Sequence, residues 1–228
     1  MWQGTAVIKQ NIGKTQDGAL LKLYDMEGCA YCRLVREALT ELDLDAHIVP
    51  VAPGDESNRA ELKALGGKVQ MPYLLDTNTN TGMYESIDIV NYLYQEYGNG
   101  RKRGAFGKMF TEITSILTSV SRGGRGTRFS PAANREQKPE KLLELYSFES
   151  SPFSRPVREQ LSELGIPYIL RNLGTTKYYQ SVSGTKREKF NDRYGKVQVP
   201  YLIDSNTGQE MFDTWDIIEY LEQTYTVA

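Results

Sequence analysis

The chain of 228 residues has one histidine, two cysteines and two tryptophans. It also has no apolar run near the roughly 20 residues that a bilayer-spanning helix requires. Each scarcity removes a class of function. His47 lies in the strand-like run Asp45-Ala46-His47-Ile48-Val49 and reads as a packing or strand-surface residue. With no second histidine, a histidine-based triad and the common zinc ligand sets are not expected, and no metal site is assigned. Two cysteines three residues apart do not make the framework of a disulfide-stapled secreted domain, so a reducing, cytoplasmic setting is the expectation. Residues 1–16 lack the apolar segment of a secretory signal. The 27 Lys and Arg nearly balance the 29 Asp and Glu, so net charge points to no polyanionic partner. Glycine and arginine gather in Gly98–Gly104 and Arg122–Gly126, without interleaved aromatic residues. Those stretches read as solvated linker, and nucleic acid is not an expected partner.

What the chain does have is an internal repeat, and repeats are to be read before local motifs. Leu23-Tyr24-Asp25-Met26-Glu27-Gly28-Cys29-Ala30-Tyr31-Cys32-Arg33-Leu34-Val35-Arg36-Glu37 lies over Leu145-Tyr146-Ser147-Phe148-Glu149-Ser150-Ser151-Pro152-Phe153-Ser154-Arg155-Pro156-Val157-Arg158-Glu159. Gly67-Lys68-Val69-Gln70-Met71-Pro72-Tyr73-Leu74 lies over Gly195-Lys196-Val197-Gln198-Val199-Pro200-Tyr201-Leu202. The offset grows from 122 (151 − 29) to 128 (200 − 72), so the second copy has gained about six residues around Gly174 to Lys189.

Both copies read as β-α-β, then a polar helix, then β-β-α. The first strands are Leu20–Asp25 and Leu142–Phe148, the second Ala46–Val51 and Tyr168–Asn172, the third Tyr73–Asp76 and Tyr201–Asp204. Leu34, Val35, Ala38, Leu39 and Leu42 recur at helical spacing, as do Val157, Leu161 and Leu164. The closing helices run from Ser86 to Tyr97 and from Thr214 to Tyr225. That order predicts an α/β chain of two tandem thioredoxin-fold domains, residues 18–98 and 142–228. They are joined by a linker, 99–141, in which Phe106 to Val120 has the pattern of one helix.

These motifs resemble the N-terminal domain of glutathione transferases, and the resemblance covers nearly the whole chain twice. In such domains a Cys or Ser opens the first helix, a cis-proline before strand three offers a backbone amide to glutathione, and an acidic residue followed by Ser opens the last helix. The matching residues are Cys29, Gln70-Met71-Pro72 and Glu85-Ser86 in the first copy. In the second they are Ser151, Gln198-Val199-Pro200 and Asp213-Thr214. The resemblance implies glutathione as the bound cofactor and cis bonds at Met71–Pro72 and Val199–Pro200. The chain departs from the family where a full all-helical C-terminal domain would follow; the linker and a second thioredoxin fold stand there instead.

Cys29-Ala30-Tyr31-Cys32 follows a strand and opens a helix, the position of the redox pair in a thioredoxin fold. Exchange requires a thiolate, and an ordinary thiol with pKa near 8.5 is mostly protonated at neutral pH. A helix N-terminus contributes about 0.3–1 kcal/mol, whereas two pKa units need about 2.7 kcal/mol. A hydrogen bond from Cys32 and a cation, with Arg33 the nearest in sequence, are expected to supply the rest. Cys29 is then the attacking thiolate and Cys32 the resolving thiol. Ala-Tyr between the cysteines is similar to the glutaredoxin pattern. That resemblance implies a second cofactor, a [2Fe–2S] cluster between two protomers, which ranks below glutathione.

The second copy has Ser-Pro-Phe-Ser and cannot exchange disulfides. Its resemblance to the plant tau-class transferases makes Ser151 a candidate partner of a glutathione thiolate; the competing reading is a helix cap. Ser86 and Thr214 are likewise good N-caps. The function expected is a glutathione-linked thiol–disulfide oxidoreductase acting on glutathionylated or disulfide substrates. The alternatives are a non-catalytic tandem binding module and a transferase or isomerase using Ser151. Oligomeric state and the packing of the two copies are open at this level.

Overall fold

The structure is a computed structural model that describes residues 4–14, 16–98, 100, 124–134, 138–175 and 184–227. The helix expected over Phe106 to Val120 lies outside these residues. In chain order the elements are β1 Leu21–Asp25, α1 Ala30–Glu41, β2 Ala46–Pro50, α2 Glu56–Gly66, β3 Tyr73–Asp76, β4 Thr81–Tyr84 and α3 Ser86–Glu96. The second half follows with β5 Leu143–Ser147, α4 Ser154–Leu164, β6 Tyr168–Asn172, α5 Lys186–Tyr194, β7 Tyr201–Asp204, β8 Gln209–Phe212 and α6 Thr214–Tyr225. Each half is therefore a thioredoxin fold, as the repeat implies. Among the described residues no helix is long and apolar enough to cross a membrane.

The local chemistry explains the element ends. Asp55 accepts a hydrogen bond from the Asn58 amide at the start of α2, and Thr185 accepts one from the Glu188 amide at the start of α5. Gly67 and Gly195 end these helices at φ 78° and 74°, a left-handed conformation that costs glycine nothing. The repeated Gly-Lys-Val-Gln is thus a helix stop leading into the proline.

The eight strands form one sheet in the order β4-β3-β1-β2-β6-β5-β7-β8. Within each half the first two strands pair in parallel and the last two antiparallel. The halves join edge to edge, β2 against β6 antiparallel, with His47 opposite Ile169. Pairing the two exposed edges satisfies a row of backbone groups that would otherwise be open to other chains. One face of the sheet carries α1, α3, α4 and α6 over a single apolar core to which both halves contribute, including Leu23, Leu39, Leu93, Leu145, Leu161 and Leu221. Truncating a fully buried leucine such as Leu39 to Ala would cost about 2–5 kcal/mol. On the other face α2 and α5 cover two separate clusters, Tyr24-Val49-Val51-Leu62-Tyr73 and Leu173-Phe190-Tyr201.

The repeat extends further than the sequence motifs indicate. The Gly4 amide donates to Glu41, and the Gly126 amide donates to Glu163. The Ser150 amide donates to the Gly4 carbonyl, and the Gly28 amide to the Gly126 carbonyl. Val7 bonds Thr175, and Phe129 bonds Pro53. Every pair is related by the 122-residue offset. Each half therefore sends a short arm, near residues 4–8 and 126–130, across the other half.

Candidate functional site

Strand register brings the motif residues of each half to one end of the sheet. Tyr24 pairs with Tyr73, and Tyr73 with Tyr84. The loop after β1, the proline before β3 and the start of α3 after β4 consequently share that end. Tyr146, Tyr201 and Phe212 do the same in the second half. The Met71–Pro72 and Val199–Pro200 bonds are both cis.

In the first half Cys29 is the N-cap of α1, and its Sγ accepts a bond from the Cys32 amide at 3.5 Å. Cys29 is partly exposed, whereas Cys32 is fully buried. The Cys29 thiol is lowered to about 7 by the Cys32 side chain first of all, then by the Cys32 and Tyr31 amides and the charge of Arg36, with burial opposing. Burial pushes Cys32 well above its ordinary value, reinforced by Cys29 and by Asp25. Arg36 is thus a cation acting on the thiol, and it lines the same cleft as Cys29 and Arg33. Arg33 is held by Glu37 at 3.2 Å one turn along the helix.

Gln70 donates to Glu85 at 2.8 Å, joining the residue before the cis bond to the acidic residue at the start of α3. Glu85 has φ 70° and Asp213 has φ 77°. Such backbone costs a non-glycine residue about 1–3 kcal/mol, and strain of this kind collects at binding and catalytic sites. Ser86 is buried behind Glu85, and Met71 is half-buried.

The second half is arranged differently. Ser151 is 2% exposed, and its Oγ accepts from the Ser154 amide at 3.2 Å and the Ser154 hydroxyl at 3.0 Å. Helix α4 starts at Ser154, with Pro152 and Phe153 in the turn before it. Asp213 turns its carboxylate onto the Trp215 amide at 3.0 Å, and Thr214 donates to the Phe153 carbonyl at 2.8 Å. Gln198 is exposed, while Pro200 is buried and Val199 half-buried.

Between the two helix starts lies a crossed ion-pair network. Arg36 donates through Nε to Glu149 at 2.9 Å and pairs with Asp25 at 2.5 Å. Arg158 donates through Nε to Glu27 at 3.1 Å and bonds Ser147 at 2.9 Å. The second guanidinium nitrogens reach the Glu27 and Glu149 carbonyls, at 3.1 and 3.0 Å. All five charged groups are buried. The Asp25 carboxyl is raised to about 6, burial outweighing the Arg36 charge. A cleft of about 10 Å³, room for one water, separates Cys29 from Glu149 and Arg155 of the second half. None of the network residues was singled out from the sequence. The available signal was the recurrence of Glu27/Glu149 and Arg36/Arg158 at one offset, the arginines falling among the apolar positions of amphipathic helices.

His47 is half-buried, its Nε2 has no partner among the described residues, and burial and Lys22 lower its pKa to about 4. It is held neutral on the sheet.

Comparison with known proteins adds a family. The family model for the glutathione S-transferase N-terminal domain matches residues 23–102 and 145–227. No curated protein matches the chain significantly. Similar solved structures include a delta-class glutathione transferase of Nilaparvata lugens, at 26% identity over 34% of this chain and 36% of that one, with TM-score 0.30. Another is a glutathione transferase of Bombyx mori, at 23% identity over 37% and 38% of the two chains, TM-score 0.32. A trimeric glutathione transferase from Leishmania is 13% identical over 92% of this chain and 68% of that one, TM-score 0.33. The chain thus spans less than half the length of the two insect proteins.

Proposed function

Because the chain belongs to the glutathione S-transferase N-terminal domain family, we propose that it is a glutathione-linked thiol–disulfide oxidoreductase working through Cys29. The observation that carries this reading is the asymmetry of the cysteine pair. Across one helical turn an accessible thiol with a pKa of about 7 faces a buried thiol held well above its ordinary value. At neutral pH the first is about half thiolate and the second stays protonated, which is the division of labour that exchange requires.

Glutathione docks along Met71-Pro72, with its γ-glutamyl end at Glu85 and Ser86. The Cys29 thiolate attacks the glutathione sulfur of a mixed disulfide; the new S–S bond forms as the old one breaks, and the substrate leaves as a thiolate that takes a proton from water. A second glutathione thiolate then attacks the Cys29–glutathione disulfide, releasing oxidised glutathione and the Cys29 thiolate. In net terms the mixed disulfide and one free glutathione give the substrate thiol and oxidised glutathione, so one free glutathione thiol is consumed per turnover. Cys32 offers the alternative resolution, an internal disulfide that glutathione reduces. The burial of Ser151 and the inward turn of Asp213 support a second half that is a structural partner, with glutathione preferring the first half.

Turnover of a glutathionylated substrate tests the proposal. The Cys29→Ser variant is expected to lose activity entirely, whereas Cys32→Ser retains the route through two glutathiones. Full activity in Cys29→Ser rejects it.

A further inference from the structure

A cavity lies on the sheet face opposite α1 and α4, beside α5. It encloses about 260 Å³ between Tyr146, Arg171, Lys186, Lys189, Phe190, Arg193 and Tyr194, with Asp45 at its edge. That is close to the lower end of small-ligand pockets. We propose that this cavity is a binding site for a small aromatic molecule bearing an anionic group, separate from the thiol site.

The first half shows what this place in the fold needs for packing alone. The residues equivalent to Arg171, Lys186, Lys189 and Arg193 are Val49, Asn58, Glu61 and Leu65. Four cations in the second half stand where the first has one negative charge and none positive. Phe190 and Tyr194 replace Leu62 and Gly66. The first half fills this place with Val49 and Leu62, both fully buried, beside Tyr24, the equivalent of Tyr146. Neither the cations nor the added rings are required by the fold.

The charges are only partly spent. Arg171 pairs with Glu144 at 2.6 Å and with Asp45 at 3.1 Å, and Lys186 pairs with Asp45 at 2.7 Å and with Asp43 at 3.6 Å, so these two cations are compensated. Lys189 has no carboxylate partner among the described residues, and Arg193 is held only over the Tyr194 ring, 5.0 Å from its centre. Three carboxylates, Asp43, Asp45 and Glu144, thus face the two inner cations, and the site's unspent positive charge is that of Lys189 and Arg193 at the rim. The rings are fixed in a mutually tilted cluster, Tyr146 to Phe190 at 4.9 Å and Phe190 to Tyr194 at 4.6 Å. Fixed rings offer an apolar wall for a planar group, and flexible cations at the rim select an anion.

The test is a fluorescence titration of the full chain with 8-anilinonaphthalene-1-sulfonate and with its uncharged analogue N-phenyl-1-naphthylamine. The sulfonate is expected to saturate one site, to bind roughly tenfold tighter than the neutral probe, and to stay bound when glutathione is added. The exposed substitutions Lys189→Glu and Arg193→Leu, which install the first half's residues, are expected together to weaken it by about tenfold or more. Circular dichroism on the double variant checks the fold. Equal affinity for both probes, displacement by glutathione, unchanged affinity in the variant, or no saturable binding would each overturn the proposal. None of these outcomes bears on the Cys29 reading, which is assayed by turnover.

Discussion

Replacing Glu149 with Gln should change the reactivity of a thiol in the other half of the chain. Glu149 accepts from Arg36 at 2.9 and 3.3 Å and pairs with Arg158 at 3.3 Å, and the charges of both arginines hold its carboxyl below the ordinary range. It lines the same cleft as Cys29. With three carboxylates and two guanidiniums the ionised network carries one net negative charge; Gln leaves it neutral while keeping the side-chain shape. At an effective dielectric near 20, removing a unit negative charge from the far side of a one-water cleft is worth on the order of 2 kcal/mol, or roughly one pKa unit. The Arg36 charge is then less compensated, the thiolate is favoured, and the midpoint of Cys29 alkylation against pH should fall from about 7 by roughly one unit. The same change breaks a buried pair, costing about 3 kcal/mol, which for a chain of this size lowers the melting temperature by about 6–12 °C. Iodoacetamide rates from pH 5 to 9 with Cys32 in place, read by mass spectrometry on the Cys29 peptide, and melting curves on the same samples read both effects. A folded variant whose midpoint is unchanged or raised would refute the idea that the second half tunes the thiol.

Further outcomes follow from the same geometry. In Cys32→Ser the Cys29 rate should exceed that of Cys32 in Cys29→Ser by about tenfold or more at pH 7, since one thiol is accessible and the other buried; a faster Cys32 would reverse the roles. Calorimetry with glutathione should show binding weakened in Ser86→Ala, each lost polar contact being worth about 0.5–1.5 kcal/mol, and little changed in Thr214→Ala; loss only in the Thr214 variant would move the site to the second half. His47 is neutral in the fold with a pKa of about 4, against about 6.5 when unfolded. Acidification from pH 7 to 5 therefore favours the unfolded chain, which binds the extra proton. Denaturant titrations should show His47→Gln losing less stability over that range than the parent; identical pH slopes would show that His47 is not strained.

Much of the architecture was legible because it is local. Strands β3, β6 and β7 fall where the β-rich runs end at turn residues, and Gly67, Gly195 and the repeated Gln-x-Pro mark the same helix stop and cis bond in both halves. Cys29 and Cys32 are placed by the strand-to-helix junction, and their spacing alone puts one at the helix start and the other on its buried side. Sequence could not say which cation meets the thiol. Arg33 is nearer along the chain and pairs with Glu37, whereas Arg36, held in the buried network, lines the thiol's cleft from one turn further on. Nor could it settle Ser151, which accepts the Ser154 amide as Cys29 accepts the Cys32 amide but is also buried and bonded by the Ser154 hydroxyl. The joining of the halves through β2 and β6, the exchanged arms and the crossed Arg36–Glu149 and Arg158–Glu27 pairs all connect residues at least 76 positions apart, the closest being Pro53 and Phe129. Periodicity and capping act within a few residues. Contacts of this range are decided when two sheet edges and two helix faces meet, and only the tertiary structure contains that meeting.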